Sequence, residues 1–262
     1  MSSALRYEWV RLRTLRSTYW LIGLAILLSA GVAFIAAFAT RNDSDAMDPD
    51  VVGTVLFGGG SLTPFPFIAI FMAIVGIFAT GHEYRHSTIQ PTLTAIPQRS
   101  TVLGAKVIMV AAVSAIVTVV SVVVNGAVGL IYWGELPDLS APLDEAIAGY
   151  VVFVVIYALS GLALAQLFRG VPSALVFVLV FPLVIESLVA GLSMLSALDW
   201  LEPALKFLPY AAGSRLFATE PYDPQGGPDF DFLDRWASGG VFAAFVAIVL
   251  AVAWYLFKKR DA

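Results

Sequence analysis

The sequence predicts an all-α integral membrane protein with six transmembrane helices, and three observations carry that expectation. Of 262 residues, 59% are hydrophobic and only 13% are charged, which leaves too little polar surface to clothe a water-soluble domain of this length. Six apolar stretches punctuate the chain, each close to the roughly 20 residues that a helix needs to cross the hydrocarbon core. The charges between them alternate by side: with the N-terminus in the cytosol, 11 of the 15 Lys and Arg residues fall inside and 15 of the 19 Asp and Glu residues fall outside. Lys and Arg beside a span resist translocation whereas acidic residues contribute little, so the partition sets both termini in the cytosol.

An amphipathic helix comes first. Arg6, Arg11, Arg13 and Arg16 crowd residues 1–18, and Leu5, Trp9 and Leu12 recur at spacings of four and three, as on one face of a helix lying at the membrane interface. The first span is expected from about Tyr19 to Thr40. Ala37, Phe38 and Ala39 imitate a signal-peptide cleavage site after the basic start, but the apolar stretch exceeds the roughly 7 to 15 residues of a signal core, so the span is expected to be retained. An acidic outer segment with Asp43, Asp45, Asp48 and Asp50 leads to the second span, about Leu62 to Thr80, with Pro64 and Pro66 near its outer end, where prolines cost little because a helix tolerates them in its first turn.

A cytosolic segment from Gly81 to Lys106 precedes the third span, about Val107 to Trp133. The fourth covers about Ala146 to Phe168, and only Arg169 and Gly170 separate it from the fifth, about Val171 to Leu198, so a tight hairpin joins them. The fifth is long enough to tilt or to be interrupted at Pro182. Residues 199–236 form the longest external segment, and the sixth span, about Ala237 to Phe257, ends in Lys258, Lys259 and Arg260. No internal repeat or long linker divides the chain, so residues 1–262 read as one transmembrane domain.

The tryptophans check this layout. Trp20, Trp133, Trp200, Trp236 and Trp254 fall at expected span ends and Trp9 on the interfacial helix, where an indole is half buried and its N–H stays wet. The absence of cysteine excludes disulfides and thiolate chemistry. The net charge of -4 is segregated, leaving a basic inner surface that suits anionic headgroups and argues against nucleic-acid binding.

One motif suggests chemistry. His82, Glu83 and His86 spell H-E-x-x-H, the arrangement in which two histidines on one helix face ligate zinc and the glutamate serves as general base. A catalytic zinc needs a third protein ligand. With no Cys and no further His, that ligand must be a carboxylate, and apart from Glu83 itself only Glu8, Asp261 and the intramembrane Glu186 are not assigned outside. Arg85 adds a repelling cation within the turn. A membrane zinc protease is therefore the second-ranked reading, below a solvated helix end.

Between spans two and three, Ile89, Leu93 and Ile96 recur at spacings of four and three, with Pro91 in the first turn and Pro97 at the stop, the pattern of a short amphipathic helix. So short a helix is unstable alone and must dock on something. Glu83, Tyr84, Arg85, His86, Ser87, Thr88 and Ile89, followed by Leu93, Thr94, Ala95, Ile96, Pro97, Arg99 and then Lys106 at the opening of span three, resemble the signature between spans two and three of bacterial type-two ABC exporter permeases. Ser87 departs from the glycine more usual there, which bears on the tightness of the turn. The resemblance extends to the interfacial helix, the six spans and the long segment before the last one.

It implies a multi-pass subunit of a bacterial plasma membrane, paired with a second permease copy or homologue above two separate ATP-binding subunits. Glu83, Tyr84, Arg85, Ile89, Leu93 and Ile96 would then couple to the ATPase, with Glu83 and Arg85 setting the helix end and Ile89 and Leu93 as anchors. It further implies outward transport of a hydrophobic or amphipathic compound, such as a drug, antibiotic, lipid or peptide. No cofactor is expected in this chain, ATP and Mg being bound by the partner: no G-x-x-x-x-G-K-[ST] occurs, and Gly58, Gly59, Gly60 and Ser61 lack the Lys that would reach phosphates.

Within the spans, Glu186 is the one acidic residue placed deep, where charge is costly and commonly marks a pathway or a pair. A hydrogen-bonded carboxyl or a position nearer the outer interface would serve equally. Asn125 and Gln166 are further pathway candidates, with interhelical hydrogen bonding as their alternative. The apolar start of the external segment, Leu201, Leu205, Phe207 and Leu208, suits a partly re-entrant stretch. An ATP-independent secondary transporter would instead show repeated halves with matched broken helices, and Pro182 is the single internal break.

Overall fold

A computed structural model describes residues 2–43, 45–59, 65–85, 88–95, 98–135, 137–193, 195–219 and 233–259. Among these residues every regular element is helical, and six helices are long and apolar enough to cross a membrane. In chain order the helices are α1 (Ser2–Thr14), α2 (Arg16–Thr40), α3 (Pro49–Phe57), α4 (Phe67–Arg85), α5 (Ile89–Ala95), α6 (Arg99–Trp133), α7 (Leu143–Phe168), α8 (Val171–Val180), α9 (Ser187–Ser193), α10 (Glu202–Leu205), α11 (Pro209–Ser214) and α12 (Arg235–Lys259). Helices α8 and α9 are one span joined by a π-helical turn, Phe181–Glu186.

The spans α4 and α7 form the centre, and α2, α6, α8–α9 and α12 surround them with broad exposed apolar faces suited to lipid. Small residues set the central contact. A Cβ on Gly76 would overlap the Ala158 carbonyl, and one on Gly161 would overlap the Ala73 carbonyl, so the two backbones touch reciprocally. Apolar helices in lipid gain little from hydrophobic burial and pack through such close contacts. The sequence carries the seam as Ala69, Ala73, Gly76 and Thr80 facing Val154, Ala158, Gly161 and Ala165, two matched runs at spacings of four, three and four.

Three element bounds differ from the sequence expectation, and the first is the second span, which runs Phe67–Arg85 instead of about Leu62 to Thr80, so that Pro66 precedes it. The segment after Thr40 is not simply an outer loop: α3 is a buried helix in which every residue from Val52 to Phe57 is withdrawn from solvent. Pro49 occupies its first turn and Gly58, at φ 60, ends it with a left-handed cap. The third span begins at Arg99 instead of Val107, because Gln98 precedes the helix and Lys106, read as a water-side boundary, has its charge neutralised inside the protein. Span five, expected to tilt or to be interrupted at Pro182, carries a π-helical turn there. A proline lacks the N–H and crowds the carbonyl one turn back, and the wider π turn relieves that conflict.

Arg169, in the left-handed region at φ 53, and Gly170 alone join α7 to α8, the tight hairpin expected. One end of the bundle, here the terminal face, gathers α1, α5, the start of α6 and the end of α12; Arg99 Nη1 donates to Phe257 O at 2.6 Å across it. At the opposite face α11 and the 3-10 turn Arg215–Phe217 pack inward between α7 and α12. There a Cβ on Gly149 would overlap the Leu216 carbonyl, and Gly213 rests on the Phe242 ring.

Candidate functional site

Four ionisable side chains converge at the terminal face. Glu83 lies in the last turns of α4, Lys106 two turns into α6, and Glu8 and Arg11 on α1. Lys106 Nζ donates to Glu8 Oε1 at 2.7 Å, to Glu83 Oε1 at 2.8 Å and to Ala79 O at 2.9 Å, which uses all three ammonium protons. Arg11 donates to Glu83 Oε1 and Ala79 O, both at 2.7 Å, and to Phe78 O at 3.3 Å. It also reaches Glu8 Oε2 at 3.4 Å. Glu8, Glu83 and Lys106 are each no more than 2% exposed. Two acids against two bases leave no net charge, and the carbonyls near the C-terminal end of α4 add partial negative charge toward both cations. Removing one member of such a buried set strands its partner without water, at a cost of about 3 to 5 kcal/mol.

The sequence named Glu83 and Lys106 separately, Glu8 only as a possible zinc ligand and Arg11 only as a cation of the interfacial helix, and did not bring the four together. The face of α1 that packs inward is Ala4, Glu8 and Leu12, whereas Trp9, expected beside Leu5 and Leu12, is half exposed. A signal was present: among many inner cations, Glu8 and Glu83 are two of very few carboxylates, and a carboxylate centred in an apolar i, i+4, i+8 row needs a buried partner.

Helix α5 meets α1 next to this joint. Ile89 and Thr92 are buried within the chain, and the Tyr7 hydroxyl lies 3.4 Å from Thr92 Oγ1. Ile89, expected as an anchor, is 5% exposed within the chain itself. Leu93 is half buried, and Gln90, Pro91 and Thr94 are exposed. Tyr84, half buried, accepts a hydrogen bond from Gln166 Nε2 at 2.8 Å, with Arg169 5.7 Å above its ring. Arg85 is exposed. Ile96 and His86 lie outside the described residues.

The three pathway candidates are not brought together. Gln166 belongs to the terminal face, through Tyr84. Asn125 is fully buried and donates from Nδ2 to Ser29 Oγ at 2.9 Å and to Leu56 O at 3.0 Å, so it ties α6 to α2 and to the end of α3. Glu186, in the π turn, accepts from the backbone N–H of Tyr210 at 2.9 Å and of Ala211 at 2.7 Å. Leu208, at the start of α11, offers no side-chain cap, and Glu186 supplies one from a distant span. In each case hydrogen bonds from the polar group tie elements together, while Asn125 Oδ1 is buried without a partner.

Of the H-E-x-x-H motif, the described residues His82 and Glu83 are engaged elsewhere. The His82 ring stacks on Phe78 at 4.1 Å, and Glu83 Oε1 is shared by two cations. Among the described residues no three His, Asp or Glu side chains converge on a point that could hold a metal ion.

The model of a family described as a protein of unknown function, DUF2705, matches residues 19–262. No curated protein matches the chain.

Proposed function

The chain belongs to the DUF2705 family, and for it we propose the role of transmembrane subunit in an ATP-driven exporter of the ABC type, powered by a separate ATP-binding chain. The observation that carries the reading is the buried joint of Glu8, Arg11, Glu83 and Lys106, which ties α1, α4 and α6 together at the end of α4 that leads into α5. A helix of seven residues cannot transmit force unless it is fixed to something larger. Here Ile89 and Thr92 fix α5 inward, and the joint clamps α1, α4 and α6 beside it. The outward residues Gln90, Pro91, Leu93 and Thr94 form the surface that the ATP-binding subunit engages, with Arg85 and the Tyr84–Gln166 pair at its edge.

A push on α5 then moves a large body. The reciprocal glycine contacts join α7 to α4, so the fourth span follows the second and third instead of sliding against them. Alternating access therefore occurs between two such bodies, one per permease copy, which is a rigid-body mechanism between packed states. In this reading the terminal face is cytosolic, the membrane is a bacterial plasma membrane, ATP and Mg stay on the partner, and the exported compound is hydrophobic or amphipathic.

Co-expression with ATP-binding subunits and affinity purification tests the assignment. Wild-type chain is expected to retain an ATP-binding partner, and Leu93→Asp to lose it while keeping its own thermal stability. Equal retention by the variant, together with undiminished transport, overturns the docking surface.

A further inference from the structure

Helix α1 has two differently charged faces. Arg11 turns inward onto Glu8 and Glu83, whereas Arg6 and Arg13 lie two turns apart, about 10 Å by helix rise, on the side opposite Glu8, and both are exposed. Arg16, which opens α2, is exposed as well. Among the described residues none of these three arginines has a carboxylate partner. Trp9 stands between Arg6 and Arg13, and Tyr19 and Trp20 follow in the first turns of α2; the three rings are 51%, 58% and 78% exposed. The Tyr19 hydroxyl donates to Arg13 O at 3.0 Å, which fixes the end of α1 to the start of α2. Since α2 is long and apolar enough to cross a membrane and begins two residues after α1 ends, this cluster lies at the boundary between water and hydrocarbon on either orientation of the chain.

We propose that this face is a binding surface for anionic phospholipid headgroups. Arg6, Arg13 and Arg16 engage the phosphates, and Trp9, Tyr19 and Trp20 sit at the headgroup level, where amphipathic rings are favoured. Guanidinium forks match phosphate oxygens in geometry as well as charge. Because the other face of the same helix carries Glu8 and Arg11, bound lipid holds α1 against α4 and α6 and stabilises the buried joint. The inference does not depend on the exporter reading.

Native mass spectrometry of the purified chain released from nanodiscs of equimolar phosphatidylglycerol and phosphatidylcholine tests it. The wild type is expected to retain phosphatidylglycerol preferentially. Each arginine near an anionic surface contributes roughly a fivefold preference, so Arg6→Gln, Arg13→Gln and Arg16→Gln together reduce it about a hundredfold. Lys258→Gln, on the same face of the bundle but away from α1, is expected to lower the preference by no more than the roughly fivefold of a single surface cation. If the triple variant does not fold, as judged by far-ultraviolet circular dichroism, the single Arg13→Gln is expected to show its fivefold loss. Wild-type preference in a folded triple or single variant overturns the proposal. So does displacement of the retained lipid by inorganic phosphate at millimolar concentration, which would mark a small-anion site instead of a lipid surface.

Discussion

Lys106 Nζ lies 2.8 Å from Glu83 Oε1, with both side chains almost wholly withdrawn from solvent. This contact joins the second span to the third at the root of α5, and Glu8 and Arg11 extend it to α1. Lys106→Met retains the stem and removes the charge, which leaves two buried carboxylates facing a single arginine. A loss of about 3 to 5 kcal/mol is expected, read as a lowered melting temperature in detergent. Adding Glu8→Gln restores charge balance, so the double variant is expected to recover part of the loss. Strictly additive losses would show that the two residues are not coupled.

The α4–α7 seam makes a different demand. Gly76→Ala and Gly161→Ala each force a methyl into a backbone carbonyl of the facing helix, and each is expected to cost about 1 to 3 kcal/mol. Gly23→Ala is the control, since a Cβ there meets nothing within 4 Å. Melting in detergent separates them; an unaltered Gly161→Ala variant would contradict the reciprocal contact.

Glu186 is expected to act as a cap. Glu186→Gln substitutes an amide whose NH2 group meets a backbone donor, so one of the two bonds to Tyr210 and Ala211 is lost, at about 1 to 3 kcal/mol. Hydrogen exchange resolved at those two amides is expected to accelerate at least several-fold. Unchanged protection there would return Glu186 to the list of transport-pathway residues.

Asn125→Ala removes the donor shared by Leu56 O and Ser29 Oγ. The end of α3 then relies on the Tyr150 hydroxyl, which donates to Phe57 O at 3.2 Å. A loss of about 1 to 3 kcal/mol is expected, with faster proteolysis near Gly58.

The spans were legible because hydropathy and length act locally, and the break at Pro182 because proline's constraint is also local. What escaped was set by partners distant in sequence. Lys106 read as the edge of a span because its neutralising carboxylates come from α1 and α4. Glu186 read as a pathway residue because the N–H groups it caps lie more than 20 residues away. Helix α3 was hidden for a different reason: the aspartates around it suggested water, although Pro49 at its start, Gly58 after its end and the apolar run between them spelled a helix. The α4–α7 seam was present in plain view as two matched rows of small residues, a pattern that hydropathy does not weigh.

The central claim is that the outer face of α5 meets an ATP-binding subunit in the cytosol. The chain has no cysteine, so Thr94→Cys introduces a unique label at an exposed position on that face. In oriented membrane vesicles, thiol labelling at this position is expected from the cytosolic side alone and to fall when an ATP-binding partner is bound. Labelling from the external side alone, or labelling indifferent to every ATP-binding subunit supplied, would contradict the account.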